Sequence, residues 1–153
     1  MSTSRSKRFE PIREIAANSA LDLSRAAAEA GQRVAELERQ HDQLKGYRDE
    51  YMRKSVQSAT GMDSVRLQNY RAFLDRLGDA VRQHVKKLGV ARAEYEARRS
   101  VWAAKRIEAE SLGRAVERFR QEEQQFAEKR EQRDSDEAGQ RLVALTRDAT
   151  EPR

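Results

Sequence analysis

The sequence predicts an all-α protein, a long antiparallel two-helix coiled-coil hairpin with helices of unequal length. No proline occurs between Pro11 and Pro152, so long helices are not interrupted. From Leu67 onward an apolar residue returns alternately every four and every three residues for about eight heptads. This 3.5-residue repeat keeps one apolar stripe facing a partner helix, and a narrow stripe suffices for a two-helix seam.

Composition excludes several other classes of protein. Of 153 residues, 37% are charged and 6% aromatic, which leaves too little apolar surface for a compact core. The chain has no cysteine, and therefore no disulfide or thiolate metal site. We find neither a secretory signal nor an apolar run of membrane-spanning length, and expect a cytoplasmic protein.

The periodic pattern and its breaks divide the chain into five segments. In order, we expect a disordered basic arm, helix one with Pro11 in its first turn, a turn, helix two, and a flexible tail. Their approximate bounds are about 1–8, 9–57, 58–64, 65–134 and 135–153.

The turn segment is rich in serine, threonine, glycine and aspartate. We expect Gly61 to take the positive φ of a helix C-terminus, and Asp63 or Ser64 to cap helix two. A connection this short makes the two helices antiparallel.

Helix two is expected to extend beyond helix one. If the chain folds back near Gly61, the N-terminal end of helix one lies opposite Leu112. The part of helix two beyond Leu112 then has no partner helix in the chain and overhangs. Four apolar residues at seam spacing then form a terminal stripe: Leu112, Val116, Phe119 and Phe126. An uncovered apolar stripe indicates a binding partner, although the overhang could instead self-associate or be weakly ordered.

Heptad positions beside the turn are unusually apolar and aromatic. Together with neighbouring seam positions they form a turn-side patch of eight residues: Gln40, Leu44, Tyr47, Tyr51, Phe73, Leu77, Ala80 and His84. Tyrosine and phenylalanine on a rigid surface are typical of a protein-binding hot spot. The alternative is a wider seam with Phe73 folded over it.

Two histidines, His41 and His84, face each other across the predicted seam. Two imidazoles without further ligands do not make a zinc site, and we interpret them as polar seam residues that set register. No catalytic motif, cofactor motif or metal cluster is identified. We therefore expect a protein that is not an enzyme and acts by contact.

A net charge of +5 raises the alternative of nucleic-acid binding. Basic and acidic residues are mixed along the periodic region, which favours a solvated coiled-coil surface. The candidate phosphate-binding patch is the basic arm with Arg5, Lys7, Arg8 and Arg13, and the alternative there is a solubilising terminus. We expect no nucleic-acid partner.

Several segments together resemble the FliJ family of flagellar type III export proteins. They are KRFEPIREIA near the start, LKGYRDEYMRK before the turn, LQNYRAFLDRLGDAVRQHVKKL after it, and the charged stretch that ends in RDSDE. The more specific element is the spacing of Tyr47, Tyr51, Tyr70, Phe73 and Leu74 around the turn.

This resemblance implies a non-enzymatic cytoplasmic stalk, held peripherally at the inner membrane by the export apparatus. Its implied partners are the hexameric export ATPase, the cytoplasmic domain of the export gate's membrane protein, and export chaperones that it escorts. The turn-side patch matches the family's gate-binding surface position by position, and the terminal stripe would face the ATPase. Alternatives are the equivalent stalk of an injectisome and a structural coiled-coil spacer dimer.

Overall fold

The computed structural model describes residues 3–58, 61 and 63–150. These residues form two α-helices, α1 over Arg5–Ser58 and α2 over Ser64–Thr150, and contain no β-strand. The helices pack against each other as an antiparallel hairpin, with 54 residues in α1 and 87 in α2. The predicted fold class is therefore confirmed.

Helix α1 begins at Arg5 rather than near Phe9 because Ser4 caps it. The Ser4 Oγ accepts a hydrogen bond from the Lys7 backbone N–H at 3.5 Å, and the Ser4 carbonyl accepts one from Arg8 at 3.2 Å. Residues 5–8 of the expected disordered arm are thus helical, whereas Met1 and Ser2 lie outside the described residues. A serine just before the helical run is the signal that could have placed this start.

Pro11 consequently lies inside α1 and not in its first turn. Proline has no backbone N–H, so the Lys7 carbonyl loses the donor that residue 11 would otherwise supply. Here the sequence prediction was wrong, and the missing hydrogen bond weakens the first two turns of α1.

At the turn, Asp63 caps α2. Its Oδ1 accepts a hydrogen bond from the Arg66 backbone N–H at 2.8 Å, and its carbonyl accepts one from Leu67 at 3.1 Å. The Gly61 N–H donates to the Ser58 carbonyl at 3.2 Å, but no described glycine has a positive φ, which corrects that expectation. Residues 59, 60 and 62 of the expected turn lie outside the described residues.

The chain divides into two compact units. One contains the described residues of Met1–Asn18 and Arg106–Arg153, and the other contains Ser19–Lys105, with 59, 60 and 62 outside the description. Within the described residues, neither helix holds an apolar stretch sufficient to cross a bilayer.

In the unit Ser19–Lys105, a single seam joins α1 to α2. Leu37 of α1 packs in one buried cluster with Leu88 and Ala91 of α2. The buried seam residues are Ala20, Ala27, Ala30 and Leu37 from α1, and Val81, His84, Leu88 and Ala91 from α2. Gly31 lies close to Tyr95, where an added Cβ would meet the ring at 3.1 Å, so the small residue admits the aromatic side chain.

In the other unit, α1 covers part of the terminal stripe. Val116 is 0% exposed, and Ala16 is also buried. From Gln124 to Thr150, by contrast, every residue of α2 is exposed. The overhang therefore begins after Glu123 instead of at Leu112, and the expected flexible tail from residue 135 is helical as far as Thr150.

Replacing Pro11 with alanine restores a donor for the Lys7 carbonyl and removes the proline ring. We expect Pro11→Ala to raise the free energy of unfolding by up to about 3 kcal/mol, measured by urea denaturation followed by circular dichroism. Asn18→Ala on the exposed side of α1 is the control for helix propensity alone, with a gain of about 0.5 kcal/mol. Equal or lower stability of the Pro11 variant would contradict this account.

Replacing Asp63 with alanine removes the acceptor for the first turn of α2. We expect Asp63→Ala to lower the free energy of unfolding by about 1 kcal/mol in the same measurement. Asp63→Asn keeps a capping oxygen and should remain close to the unmodified protein. If both variants lose the same stability, the cap is not the cause.

Candidate functional site

The turn-side patch lies on both helices in the unit Ser19–Lys105. Its aromatic members reach solvent, with Tyr47 58%, Phe73 42% and Tyr51 37% exposed. Gln40 is exposed, and Leu44, Leu77 and Ala80 are partly buried. His84 is buried in the seam at 9% exposure. The patch thus has accessible aromatic side chains on its outside and partly or fully buried side chains next to the seam.

Three aromatic rings form a cluster beside the turn. The Tyr51 and Phe73 ring centroids are 5.0 Å apart in an edge-to-face arrangement, and those of Tyr51 and Tyr70 are 6.1 Å apart. The Tyr70 hydroxyl donates a hydrogen bond to the Tyr51 carbonyl at 2.7 Å. Because these contacts connect α1 to α2, they hold the rings in place before any partner arrives.

A cation lies at the edge of this cluster. The Lys54 Nζ is 6.0 Å from the centroid of the Tyr51 ring and 3.1 Å from a Glu50 carboxylate oxygen. Its hydrogen bond to Glu50, with the attraction of that carboxylate, raises the pKa of Lys54 above its ordinary value. Lys54 therefore keeps its positive charge beside the aromatic surface.

Next to the cluster, an open groove of about 460 Å³ is lined by five residues: Tyr51, Arg66, Asn69, Tyr70 and Phe73. We call it the tip groove. The α2 residues share one helix face, since they stand at positions i, i+3, i+4 and i+7. From the sequence, Tyr70 was named for the aromatic spacing around the turn, and Arg66 and Asn69 were not singled out. Their common spacing is the signal that could have found them.

The two histidines belong to the seam. The His84 Nε2 donates a hydrogen bond to the Leu37 carbonyl at 2.9 Å. The His41 and His84 rings stack in parallel, with their centroids 6.2 Å apart. The His41 Nδ1 is buried and has no hydrogen-bond partner in the described part of the chain. That part also contains no group of three or more residues suited to holding a metal ion. The geometry fits a polar contact that fixes register.

The terminal stripe is only partly accessible, which corrects the expectation that it is uncovered. Leu112 is partly buried and Val116 fully so. Phe119 is partly buried beneath the α1 N-terminus, 5.3 Å from the Phe9 ring and 4.8 Å from the Arg5 guanidinium carbon. Phe126 alone among the four stripe residues is open, at 70% exposure. Helix α1 begins at Arg5, and its Phe9 faces Phe119 and not a position near Leu112, so α1 reaches further along α2 than expected.

The α1 N-terminus is held against α2 by polar contacts that we call the N-terminal clamp, formed by Ser6, Glu123, Glu10 and Arg120. The Glu123 carboxylate accepts hydrogen bonds from the Ser6 backbone N–H at 3.0 Å and from the Ser6 Oγ at 2.6 Å. Arg120 pairs with Glu10 at 2.9 Å. A carboxylate beside free N–H groups is favoured by the helix dipole.

The clamp has an electrostatic consequence. Hydrogen bonds from Ser6, first from its side chain and then from its backbone, lower the pKa of Glu123 below its ordinary value. The ionised carboxylate is therefore the form that holds α1 in place.

Comparison with known proteins adds one positive finding. A family model described as "Flagellar FliJ protein" matches residues 5–147. The match includes all of α1, α2 as far as Arg147, the turn-side patch and the N-terminal clamp. No curated protein and no solved structure matches the chain.

The Glu123 contact predicts acid sensitivity. Because its pKa is lower in the folded state, its contribution to stability is complete above the unfolded value near 4.5 and is lost as pH falls through the lowered folded value. We expect Glu123→Gln to reduce the stability difference between about pH 7 and about pH 3, measured by urea denaturation. Glu122→Gln, at the exposed neighbouring position, is the control. Equal pH dependence in the two variants would contradict the clamp.

Proposed function

This chain belongs to the FliJ family, whose members are non-enzymatic components of flagellar type III protein export, and we propose that it is the stalk that connects the export ATPase to the export gate. In this role it works in the cytoplasm, is held at the inner membrane through the export apparatus, and escorts export chaperones. The observation that carries the proposal is the accessible aromatic surface beside the turn.

The turn-side patch supports binding to the cytoplasmic domain of the gate protein. Tyr47 and Phe73 are exposed on different helices, and Phe73 is steadied by its edge-to-face contact with Tyr51. Aromatic side chains that are held in place lose little conformational entropy on binding, and therefore make effective anchors. The family's gate-binding positions implied by the sequence coincide with this surface.

The far end of α2 supports binding to the ATPase. Residues 124–150 are exposed throughout, and Phe126 at their start is accessible. This segment carries five basic and six acidic residues, so its surface is strongly charged but nearly neutral. Mixed charge of this kind favours correct alignment and association rate more than affinity. Among the stripe residues, Phe126 is therefore the anchor that we assign to the ATPase.

A structural spacer dimer is the second candidate function. Leu142 and Leu145 are 65% and 67% exposed, and their i, i+3 spacing places them on one face of α2. Two such faces could pair in a second coiled coil. Light scattering discriminates the candidates, because a monomer of 17.6 kDa at working concentration excludes the dimer. The injectisome counterpart is separated from the flagellar stalk by genomic neighbourhood.

The gate assignment predicts selective loss of one partner. We expect Tyr47→Ala and Phe73→Ala each to weaken binding to the gate's cytoplasmic domain by at least about tenfold, measured by calorimetry, since both remove accessible anchors. Circular dichroism should remain helical. Val90→Ala, at a position 70% exposed, is the control for trimming an exposed apolar side chain in the same unit. Unchanged gate binding would remove the patch from the mechanism.

The ATPase assignment predicts the complementary loss. A chain that ends at Glu123 keeps the complete N-terminal clamp but lacks the exposed segment of α2. We expect it to lose ATPase binding and to keep gate binding, and Phe126→Ala to weaken ATPase binding by at least about tenfold. If the shortened chain binds the ATPase as tightly as the full chain, the exposed segment is not the contact.

A further inference from the structure

The tip groove contains polar groups that the described residues leave unengaged. Three of its lining residues, Tyr51, Tyr70 and Phe73, are aromatic, and we call them the aromatic floor; Arg66 and Asn69 complete the lining. The side chains of Arg66 and Asn69 take part in no hydrogen bond or ion pair with other described residues. A cleft of this size with an apolar floor and a few unengaged polar groups is typical of a binding site.

The walls of the tip groove are already arranged for a ligand. The Tyr70 hydroxyl is hydrogen-bonded to the Tyr51 carbonyl, and the Tyr51 ring contacts both of its aromatic neighbours. A ligand entering the groove therefore does not have to order these side chains. Preorganisation of this kind converts a larger part of the contact energy into affinity.

Charge around the groove selects the ligand. Residues 45–76 contain seven basic and four acidic residues. Three of the acids are already engaged: Asp49 pairs with Arg48, Glu50 with Lys54, and Asp63 accepts the Arg66 backbone N–H. Among the described residues, the Arg66 guanidinium thus has no acidic partner, and an arginine can bind a carboxylate through two parallel hydrogen bonds.

We propose that the tip groove binds a segment of the export gate's cytoplasmic domain in which a large apolar residue is flanked by a carboxylate. The apolar side chain packs on Tyr51, Tyr70 and Phe73, and the carboxylate accepts hydrogen bonds from Arg66 and Asn69. This rests on the proposed function for the partner's identity, and extends the contact surface from the turn-side patch to three further residues of α2.

The first experiment compares two changes of equal charge in the full chain. We expect Arg66→Gln to weaken binding of the gate's cytoplasmic domain about fivefold to tenfold, because it removes a charge-assisted hydrogen-bonding group. Arg76→Gln is exposed on the same helix and does not line the groove, so it should stay within about twofold. Equal effects of the two variants would overturn the proposal, since they would show a response to net charge alone.

The second experiment tests the groove without the gate. Acetyl-Glu-Leu-Phe-amide and its Gln counterpart are titrated into the isotope-labelled full chain, and the ring and amide resonances of Tyr51, Asn69, Tyr70 and Phe73 are followed by NMR. We expect shifts at these residues and about fivefold weaker binding of the Gln peptide. No shift at the groove, or equal affinity of the peptides, would overturn the proposal.

The two failures remain distinguishable. If the unmodified chain does not bind the gate domain, the proposed function fails, and the partner named for the groove fails with it. If the gate domain binds but Arg66→Gln behaves like Arg76→Gln, the stalk function stands and the groove inference is wrong.

Discussion

Each helix of this hairpin has only the other against which to bury apolar surface, and the rest of the structure depends on that constraint. The seam is one stripe wide, so the stability of each part of the hairpin depends on the few side chains that face inward there. On the α1 side the buried residues are mostly alanines, whereas α2 contributes Val81 and Leu88. The alanines let the helices approach closely but bury little area each. Polar contacts between the helices consequently contribute a larger share of the stability here than they would in a globular core.

Polar contacts between the helices occur at the α1 N-terminus and beside the turn, and also along the seam between these places, where Arg92 pairs with Glu38. Glu123 supplies a carboxylate to the α1 N-terminus, and Arg120 pairs with Glu10. Pro11 removes one helical hydrogen bond in the same region. Beside the turn, the Tyr70 hydroxyl and the aromatic cluster perform the corresponding task. In both places a side chain on α2 satisfies or supports the backbone of α1.

The seam could be predicted from sequence because the heptad repeat directly reports which side chains face inward. Heptads counted from Leu67 reach Val81 and Leu88, with Ala91 three positions further on, and all three residues are buried. The repeat also placed Tyr47 and Phe73 beside the seam but left open whether Phe73 folds over it, and both side chains are exposed.

Other features were missed because they depend on a few residues at a helix end or on side-chain conformation, which the heptad repeat does not report. The basic residues after Ser4 suggested a disordered arm, although the Ser4 cap and the Glu123 contact extend α1 to Arg5. Within this short extension, Arg5 lies over the Phe119 ring. Tyr70 was named from the sequence for the aromatic spacing around the turn, but the repeat does not show that its ring lines a groove.

The distances along the chain between paired residues determine the order in which a newly synthesised molecule can assemble. Tyr51 and Tyr70 are 19 residues apart, whereas Ser6 and Glu123 are 117 apart. During synthesis, all of α1 leaves the ribosome before most of α2 has been made. The seam face of α1 is therefore exposed to water during that time. Because that face is largely alanine, it exposes little apolar area with which other nascent chains could associate. The two helices can then begin to pair beside the turn. Ser6 can form its hydrogen bonds to Glu123 only after Glu123 has left the ribosome.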